Sequence, residues 1–262
     1  MARDDKIHAR LYVDDDLPNA AVALDEPRTH YLRNVLRLSP GDAIALFNGR
    51  DGEFGAKIAE VGKRGATLEI GARRRAMEPE PDLWLVFAPL KRARLDYLVE
   101  KATELGVSAF QPVFTRHTVA DRVNLDRLRA IAIEAAEQSE RLTVPAVHPP
   151  VELATLVTGW KAASATESRT LVMCDESGGG GPIADVLSKA GTDGAHAILT
   201  GPEGGFASDE LEFLRRHAFV RPVGLGPRIL RADTAALAAI AVFRSLAHDR
   251  LGSPPPRFVP RT

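Results

Sequence analysis

The stretch HAILTGPEGGF, residues 196–206, places an apolar run directly before a turn that contains three glycines, one proline and a single carboxylate, Glu203. Gly-Pro and Gly-Gly pairs are common in turns, so a simple connector is one interpretation. The other interpretation is a backbone cradle at the carboxyl end of a strand, where open α/β sheets bind their ligands. These residues alone do not choose between the two, and the flanking sequence has to decide.

From Asp82 onward the sequence alternates between strand patterns and helix patterns. The predicted order is strand 83–88, helix 91–106, strand 108–114, helix 124–141, strands 170–175 and 196–200, helix 208–218, strand 219–225 and helix 233–250. Gly106 is expected to end the first helix, and Ser208 to be the N-cap of the third. Such alternation predicts a mainly parallel sheet covered by helices on both faces. The last helix is apolar nearly all round, which favours packing on the sheet and on a partner subunit.

Before residue 76 the pattern is different. Short strand-like runs at 9–13, 43–49, 54–62 and 66–72 are separated by turns such as SPGD and NGRDGE, with one helical segment at 27–38. Closely spaced short strands predict a small β-barrel. The prolines of AMEPEPD then indicate a linker. We therefore predict a barrel over 1–75, a linker over 76–82, an α/β domain over 83–250 and a flexible tail over 251–262.

Charge and composition limit the function classes. The chain of 262 residues carries a net charge of −1, but Pro27–Arg75 contains ten basic and five acidic residues. This basic segment suits a phosphate backbone, or it is an ordinary solvated face. The longest apolar run, Ala235–Phe243, is too short for a membrane span, and no secretory signal is recognisable. A single cysteine, Cys174, interpreted as a small buried side chain, fits a reducing compartment, so the cytoplasm is expected.

Several chemistries lack their motifs. The sequence contains no H-E-x-x-H, no paired C-x-x-C, no G-x-S-x-G and no phosphate-binding loop, so we predict no metal site. The segment GGGGPIA does place Gly179, Gly181 and Ala184 at the spacing of a dinucleotide fingerprint. Because the residues DES stand between the strand and these glycines, and Pro182 interrupts the spacing itself, we interpret the segment as a flexible loop.

A second loop has the same character as the first. In VGLGPRILRADTAAL, residues 223–237, a strand ends on glycine and proline, two arginines lie three positions apart, and Asp233 and Thr234 are predicted to cap the final helix. Parallel strands would bring both loops to one edge of the sheet. Backbone groups, carboxylates and the guanidiniums of Arg228 and Arg231 can hold and polarise a ligand, while the reactive chemistry belongs to a cofactor.

The pair LTGPEGGF and LGPRILRADTAA resembles the paired signatures of the SPOUT methyltransferases, in particular the small-subunit rRNA methyltransferase E type, which methylates N3 of a uridine in 16S ribosomal RNA. HYLRNVLRLSPGD, FNG, KATELGV and EAAEQSER also match. The resemblance implies a small PUA-like β-barrel plus an α/β domain with a C-terminal trefoil knot. It also implies S-adenosylmethionine as cofactor, the small ribosomal subunit as partner, and a homodimer.

Two segments depart from the family pattern. Ala232 and Asp233 stand where the family usually has Thr-Glu, and Glu140-Arg141-Leu142 stands where it usually has Gly-Arg-Asn. Asp233 keeps the carboxylate on a shorter side chain.

The resemblance and the residues together define a candidate site. Arg231 or Arg228 is expected to stabilise the negative charge on O2 and O4 of the ionised uracil, and Glu203 or Asp233 to accept the N3 proton. Contacts to the cofactor are expected from Leu199, Thr200, Gly201, Gly204, Gly205, Leu225, Gly226, Ile229 and Leu230.

The basic barrel is expected to position the RNA. The predicted RNA contacts are Arg10, His30, Arg33 and Arg37. Arg33 and Arg37, four apart, would share one face of the helix at 27–38. Two alternatives stay open: a Rossmann-type NAD-dependent oxidoreductase that uses the GGGG loop, and a non-catalytic RNA-binding adaptor that uses the barrel alone.

Overall fold

The computed structural model describes residues 7–19, 21–160 and 169–251, with no side-chain description for 248–251. The chain forms two compact units, Met1–Pro79 with Ile133–Val144, and Glu80–Ala132 with Pro145–Thr262. The first unit therefore includes residues 133–144, which the sequence pattern assigned to the α/β domain. Residues 252–262 of the predicted tail lie outside the described residues.

The first unit is built on a five-stranded sheet with the order β1-β3-β4-β5-β2. Its strands are β1 (Arg10–Tyr12), β2 (Ala21–Leu24), β3 (Ala43–Phe47), β4 (Glu53–Val61) and β5 (Ala66–Arg75). β1 and β3 are parallel, and the other neighbours are antiparallel. Leu11 and Val22 belong to one core although their strands lie at opposite edges of the sheet. The sheet therefore curves round a common interior, as a small barrel does.

The helical segment of the first unit is shorter than predicted. Helix α1 (Glu26–His30) has Asp25 as its N-cap, and Oδ1 of Asp25 accepts a hydrogen bond from the N–H of Arg28 at 3.0 Å. A π-helical turn, Tyr31–Val35, follows directly. Arg37 lies beyond it with a left-handed φ of +57°. The prediction that Arg33 and Arg37 share one helical face is therefore wrong.

The second unit contains an eight-stranded sheet with the order β11-β13-β10-β12-β6-β7-β8, and β9 pairs with β7. Its strands are β6 (Leu83–Phe87), β7 (Ala109–Phe114), β8 (Ala146–Val147), β9 (Val151–Glu152), β10 (Thr170–Cys174), β11 (Gly181–Pro182), β12 (His196–Thr200) and β13 (Val220–Gly224). All of these pairings are parallel. The prediction of a mainly parallel sheet is confirmed.

Helices connect these strands. They are α2 (Arg92–Glu104), α3 (Leu125–Gln138), α4 (Leu153–Thr158), α5 (Ile183–Ala190), α6 (Ser208–Arg215) and α7 (Ala232–Leu251). Every residue of β12 is buried, as expected for a central parallel strand with both faces covered. Helix α7 packs on α2, α5 and β12. In the part of the chain that the structure describes, no helix is long and apolar enough to cross a membrane.

Two predicted helix caps are wrong. Helix α6 has Ala207 as its N-cap, and the carboxylate of Glu210 accepts the N–H of Ala207 at 2.9 Å, so Ser208 is the first helical residue. Helix α7 begins at Ala232, which places Asp233 and Thr234 inside its first turn instead of at the cap.

Candidate functional site

A cleft of about 690 Å³ lies at the carboxyl ends of three neighbouring strands, β13, β10 and β12. Since the strands are parallel, the loops that follow them leave the sheet at the same edge. We call them the β12 loop (residues 201–207), the β13 loop (225–231) and the β10 loop (175–180). The first two are the loops that the sequence pattern singled out, and the structure brings them together.

The β12 loop turns back on itself at a glycine. Gly205 has a φ of +70°, a conformation that favours glycine, and its N–H donates to the carbonyl of Pro202 at 3.0 Å. A Cβ at this position would also collide with Oε1 of Glu176. Glu203, by contrast, is exposed and lines the cleft. The loop therefore keeps its backbone close to the neighbouring loop and leaves one carboxylate open to a ligand.

The β13 loop supplies an apolar wall and two cations. Gly226 has a φ of +105°, and no atom lies within 4 Å of the position a Cβ would take, so open space adjoins its backbone. Ile229 is 96% exposed, an unusual state for a large apolar side chain. Arg228 and Arg231 are exposed and line the same cleft. This combination suits a ligand with an apolar part and a polar or anionic part.

The β10 loop is the part of the site that the sequence pattern did not predict. The loop lies between the other two, and the interpretation of GGGGPIA as a flexible connector is wrong, because Gly181 and Pro182 form β11 and pair with β13. A Cβ on Gly180 would collide with the backbone of Val223. A signal was present, since TLVMCDESGGGG repeats the pattern of LTGPEGG: an apolar strand, a carboxylate and glycines.

Asp175 organises the start of the β10 loop. Its Oδ2 accepts a hydrogen bond from Nη2 of Arg215 at 2.5 Å, and its Oδ1 accepts from the N–H and the hydroxyl of Ser177 at 3.0 and 2.6 Å. Burial opposes the charge of this carboxyl, but the hydrogen bonds from Ser177 and Arg215 outweigh it and hold the pKa of Asp175 below its ordinary value. Asp175 therefore stays ionised and fixes the loop.

Cys174 also lines the cleft, at the end of β10. Burial, with a smaller contribution from the negative charge of Glu176, raises the pKa of the Cys174 thiol to about 12. A thiol with so high a pKa stays protonated and is a poor nucleophile.

The structure brings together seven of the nine predicted cofactor contacts. The cleft is lined by Thr200, Gly201, Gly205, Leu225, Gly226, Ile229 and Leu230. Leu199 is not among the lining residues, because its side chain is fully buried in the core of the second unit. Gly204 is not among them either: a Cβ there would lie 3.2 Å from Cβ of His117.

Three of the four predicted catalytic side chains line the cleft: Arg228, Arg231 and Glu203. Asp233 does not, and its Oδ1 accepts the N–H of Thr234 at 3.0 Å in the first turn of α7. Arg94, near the start of α2, lines the cleft and was not predicted.

Arg10, which the sequence predicts to contact RNA, is engaged inside the first unit. Its Nε donates to Glu53 at 2.7 Å, Nη1 donates to the carbonyls of Ala136 and Glu137, and Nη2 donates to the carbonyl of Arg141 at 2.9 Å. The side chain is only 10% exposed. Arg10 therefore ties residues 133–144 to the sheet of the first unit and has little capacity left for phosphate.

The other predicted RNA contacts are accessible. His30, Arg33 and Arg37 are all exposed on the first unit. Nη1 of Arg33 donates to the carbonyl of Gly62 at 3.3 Å, which leaves most of the guanidinium open. Their role in RNA binding stays a prediction.

The cleft fits the cofactor that the resemblance implies. Its volume lies within the range of small-molecule sites, about 300–1,000 Å³. The open space beside Gly226 and the exposed Ile229 suit a nucleoside, while the charged side chains suit an amino acid. Among the side chains described, those of residues 7–19, 21–160 and 169–247, no three of His, Cys, Asp or Glu are grouped so that they could hold a metal ion.

Comparisons with known proteins agree with this geometry. A family model described as an RNA methyltransferase domain matches residues 78–244, and one described as an RNA methyltransferase PUA domain matches residues 24–71. The ribosomal RNA small subunit methyltransferase E of Rickettsia conorii is 33% identical over 239 residues, which cover 90% of this chain and 95% of that protein. The protein of the same name from Mycobacterium tuberculosis is 32% identical over 241 residues, covering 88% and 90%.

Solved structures are similar over the same length. The ribosomal RNA small subunit methyltransferase E of Neisseria gonorrhoeae, bound to S-adenosylmethionine, has a TM-score of 0.78 at 31% identity and covers 91% of this chain and 97% of that one. A methyltransferase of Legionella pneumophila, also with the bound cofactor, has a TM-score of 0.78 at 28% identity, with coverages of 92% and 98%. The predicted PUA-like unit and α/β unit are confirmed. This chain belongs to the ribosomal RNA small subunit methyltransferase E family.

Proposed function

We propose that this protein transfers a methyl group from S-adenosylmethionine to N3 of a uridine in 16S ribosomal RNA. The proposal rests on one observation. The β10, β12 and β13 loops surround one cleft, and Glu203, Arg228 and Arg231 line it. The names of the relatives support the RNA substrate, and the cofactor bound in two similar structures supports the methyl donor. The choice of uridine N3 rests on the resemblance of the loop motifs.

The cofactor, when bound, supplies an activated methyl group on a positively charged sulfur. The residues that would hold it are Thr200, Gly201, Gly205, Leu225, Gly226, Ile229 and Leu230. Gly226 has open space where a Cβ would stand, so its backbone can approach the ligand directly, whereas Gly205 leaves room for Oε1 of Glu176. Against the bound cofactor, the apolar side chains of Leu225, Ile229 and Leu230 would cover part of it from water, which favours a reaction in which charge is lost.

The acceptor has to lose a proton before it can react. Uracil N3 is a poor nucleophile while protonated, and removal of the proton places negative charge on O2 and O4. Arg231 or Arg228 can stabilise that charge as a fixed cation. Glu203 can accept the proton, directly or through water. We favour Glu203 over Asp233 because Glu203 is exposed at the cleft and Asp233 is not among the lining residues.

The first unit is proposed to position the RNA through its basic residues. His30, Arg33 and Arg37 offer exposed cations or hydrogen-bond donors to phosphate. A uridine within folded RNA must leave its stack to reach a cleft of this kind. The fold would then separate two tasks, with phosphate contacts in one unit and methyl transfer in the other.

We also propose a homodimer that works in the cytoplasm. Helix α7 buries Ala239, Ile240 and Phe243, yet leaves Ala241 exposed and Val242 partly exposed on the same apolar helix. This second apolar face supports the proposal of a partner subunit, and sedimentation of the purified protein would test it.

The trefoil knot stays a prediction. It is supported by the position of β13 between β10 and β11, both of which precede β13 in the chain.

Primer extension on the RNA tests the proposed function. A methyl group on N3 blocks Watson–Crick pairing, so reverse transcriptase should stop at one uridine after 16S RNA or small subunits are incubated with protein and S-adenosylmethionine. The Arg231→Ala variant should give a much weaker stop. NAD binding without S-adenosylmethionine binding would contradict the proposal, as would folded protein that binds the RNA and leaves it unmodified.

A further inference from the structure

One carboxylate of the cleft has no role in the chemistry described above. Glu176 directly follows Asp175 in the β10 loop, is exposed, and lines the cleft. Its Oε1 accepts a hydrogen bond from the backbone N–H of Phe206 at 3.1 Å. The side chain therefore extends from the β10 loop to the β12 loop and contacts both.

The position of this carboxylate is fixed from two directions. On one side, the hydrogen bonds of Asp175 with Ser177 and Arg215 fix the chain immediately before Glu176. On the other side, Gly205 leaves the space that Oε1 occupies, because any Cβ there would collide with it. A group held in this way binds a ligand without first losing much conformational freedom.

The loop contact does not require the negative charge. A neutral amide oxygen at the same position also accepts the N–H of Phe206, although the bond is weaker than that to a carboxylate oxygen. Asp175 is already paired with Arg215, whereas within the described part of the chain no cationic side chain forms an ion pair with Glu176. The charge of Glu176 is therefore available to a cation that enters the cleft.

We infer that Glu176 binds the α-ammonium group of the methionine part of S-adenosylmethionine. The inference rests on the proposed function, since that cofactor is the ligand. Three other charged groups of the cleft suit different tasks: Arg228 and Arg231 can stabilise the ionised base, and Glu203 can accept its proton. A protonated amine has donors only, and a fixed carboxylate oxygen is its strongest partner.

Calorimetry with two ligands tests the inference independently of turnover. S-adenosylhomocysteine carries the ammonium group, and 5′-methylthioadenosine lacks the amino-acid part. The Glu176→Gln variant should bind S-adenosylhomocysteine about tenfold or more weakly than the parent, as expected for loss of a charge-assisted hydrogen bond. Its affinity for methylthioadenosine should stay within about twofold, because the contact with Phe206 is retained.

Glu212→Gln is the matched control. Glu212 is exposed on α6 and is not among the cleft-lining residues, so the same change of charge there should leave both affinities unchanged. Measurements on the unaltered protein add a check that needs no variant: an S-adenosylhomocysteine analogue without the amino group should bind about tenfold more weakly.

Three results would overturn the inference. Equal losses for both ligands would mean that Glu176 only positions the β12 loop, and unchanged affinities would mean that its charge faces no ligand. A loss for S-adenosylmethionine without a loss for S-adenosylhomocysteine would place the charge beside the sulfonium instead. If the unaltered protein bound none of these ligands, the proposed function itself would fail, which is a distinguishable outcome.

Discussion

Glu203 and Asp233 offer the same functional group in different surroundings. Glu203 is exposed on the β12 loop beside the cleft, while Asp233 lies in the first turn of α7 and accepts the N–H of Thr234. We expect Glu203→Gln to lower kcat about 100-fold, the effect of losing a general base. Asp233→Asn should change kcat by less than about threefold, because its carboxylate does not line the cleft. Single-turnover methylation with each variant separates the two residues, and the reverse order would contradict the assignment.

Arg10 and Arg33 are both basic residues of the first unit, but their surroundings predict opposite defects. Arg10→Ala would leave Glu53, whose side chain is 7% exposed, without its closest cation. We expect a loss of about 2–4 kcal/mol in the free energy of unfolding. Arg33→Ala should change stability by less than about 0.5 kcal/mol.

RNA affinity gives the complementary measurement. The Arg33 variant should bind RNA more weakly. A plot of log affinity against log salt concentration should also be less steep by about one unit, because one phosphate contact is lost. These different roles would be refuted if both substitutions changed RNA affinity equally and the two variants did not differ in urea denaturation. The sequence identified both residues as basic, but the burial of Arg10 depends on Glu53, a partner 43 positions away, which no local pattern reveals.

Glu140 adopts a conformation that is unfavourable for its residue type. Its φ is +59°, in the left-handed region that favours glycine. Glu140→Gly should relieve about 1–2 kcal/mol of steric cost and lose about 0.5–1 kcal/mol through the flexibility of the unfolded chain. We expect a net stabilisation of about 0.5–1 kcal/mol. Glu140→Ala is the control, since it removes the side chain and keeps the strain; equal stability of the two variants would contradict the argument.

At the scale of elements, the site depends on close contact between the β10 loop and β13. A Cβ on Gly180 would collide with the backbone of Val223. Gly180→Ala should therefore push the β10 loop away from β13 and weaken S-adenosylhomocysteine binding about tenfold or more, as expected when binding groups are displaced from their productive positions. Gly181→Ala is the matched control, because a Cβ there would meet only the side chain of Val186 at 3.3 Å. Calorimetry that finds the same affinity for both variants would contradict this role of the loop.

The elements themselves were largely predictable. The apolar runs that became β6, β10 and β12 read clearly as buried parallel strands, and the glycines after β12 and β13 indicated turns. Elements that depend on distant partners were not predictable: β11 has only two residues and exists because it pairs with β13. The sequence also did not predict the change from α1 to a π-helical turn, because the four-residue spacing of Leu32 and Leu36 is that of an ordinary α-helix.

At the scale of the whole molecule, the distribution of charge matters more than its sum. The net charge is −1, yet residues 27–75 carry an excess of five positive charges. A chain of this kind should bind RNA through one unit instead of coating it indiscriminately. In the proposed function, the basic residues of the first unit position the substrate and the loops of the second unit carry out the chemistry, so neither unit alone identifies the reaction.

Mass spectrometry of nucleosides tests the central claim most directly. Small ribosomal subunits are incubated with the protein and S-adenosylmethionine that carries a deuterated methyl group, and the 16S RNA is then digested to nucleosides. We expect one labelled product, 3-methyluridine, which is lost or strongly reduced with the folded Arg231→Ala and Gly180→Ala variants. Label in a different nucleoside, or no labelled nucleoside at all, would contradict this expectation.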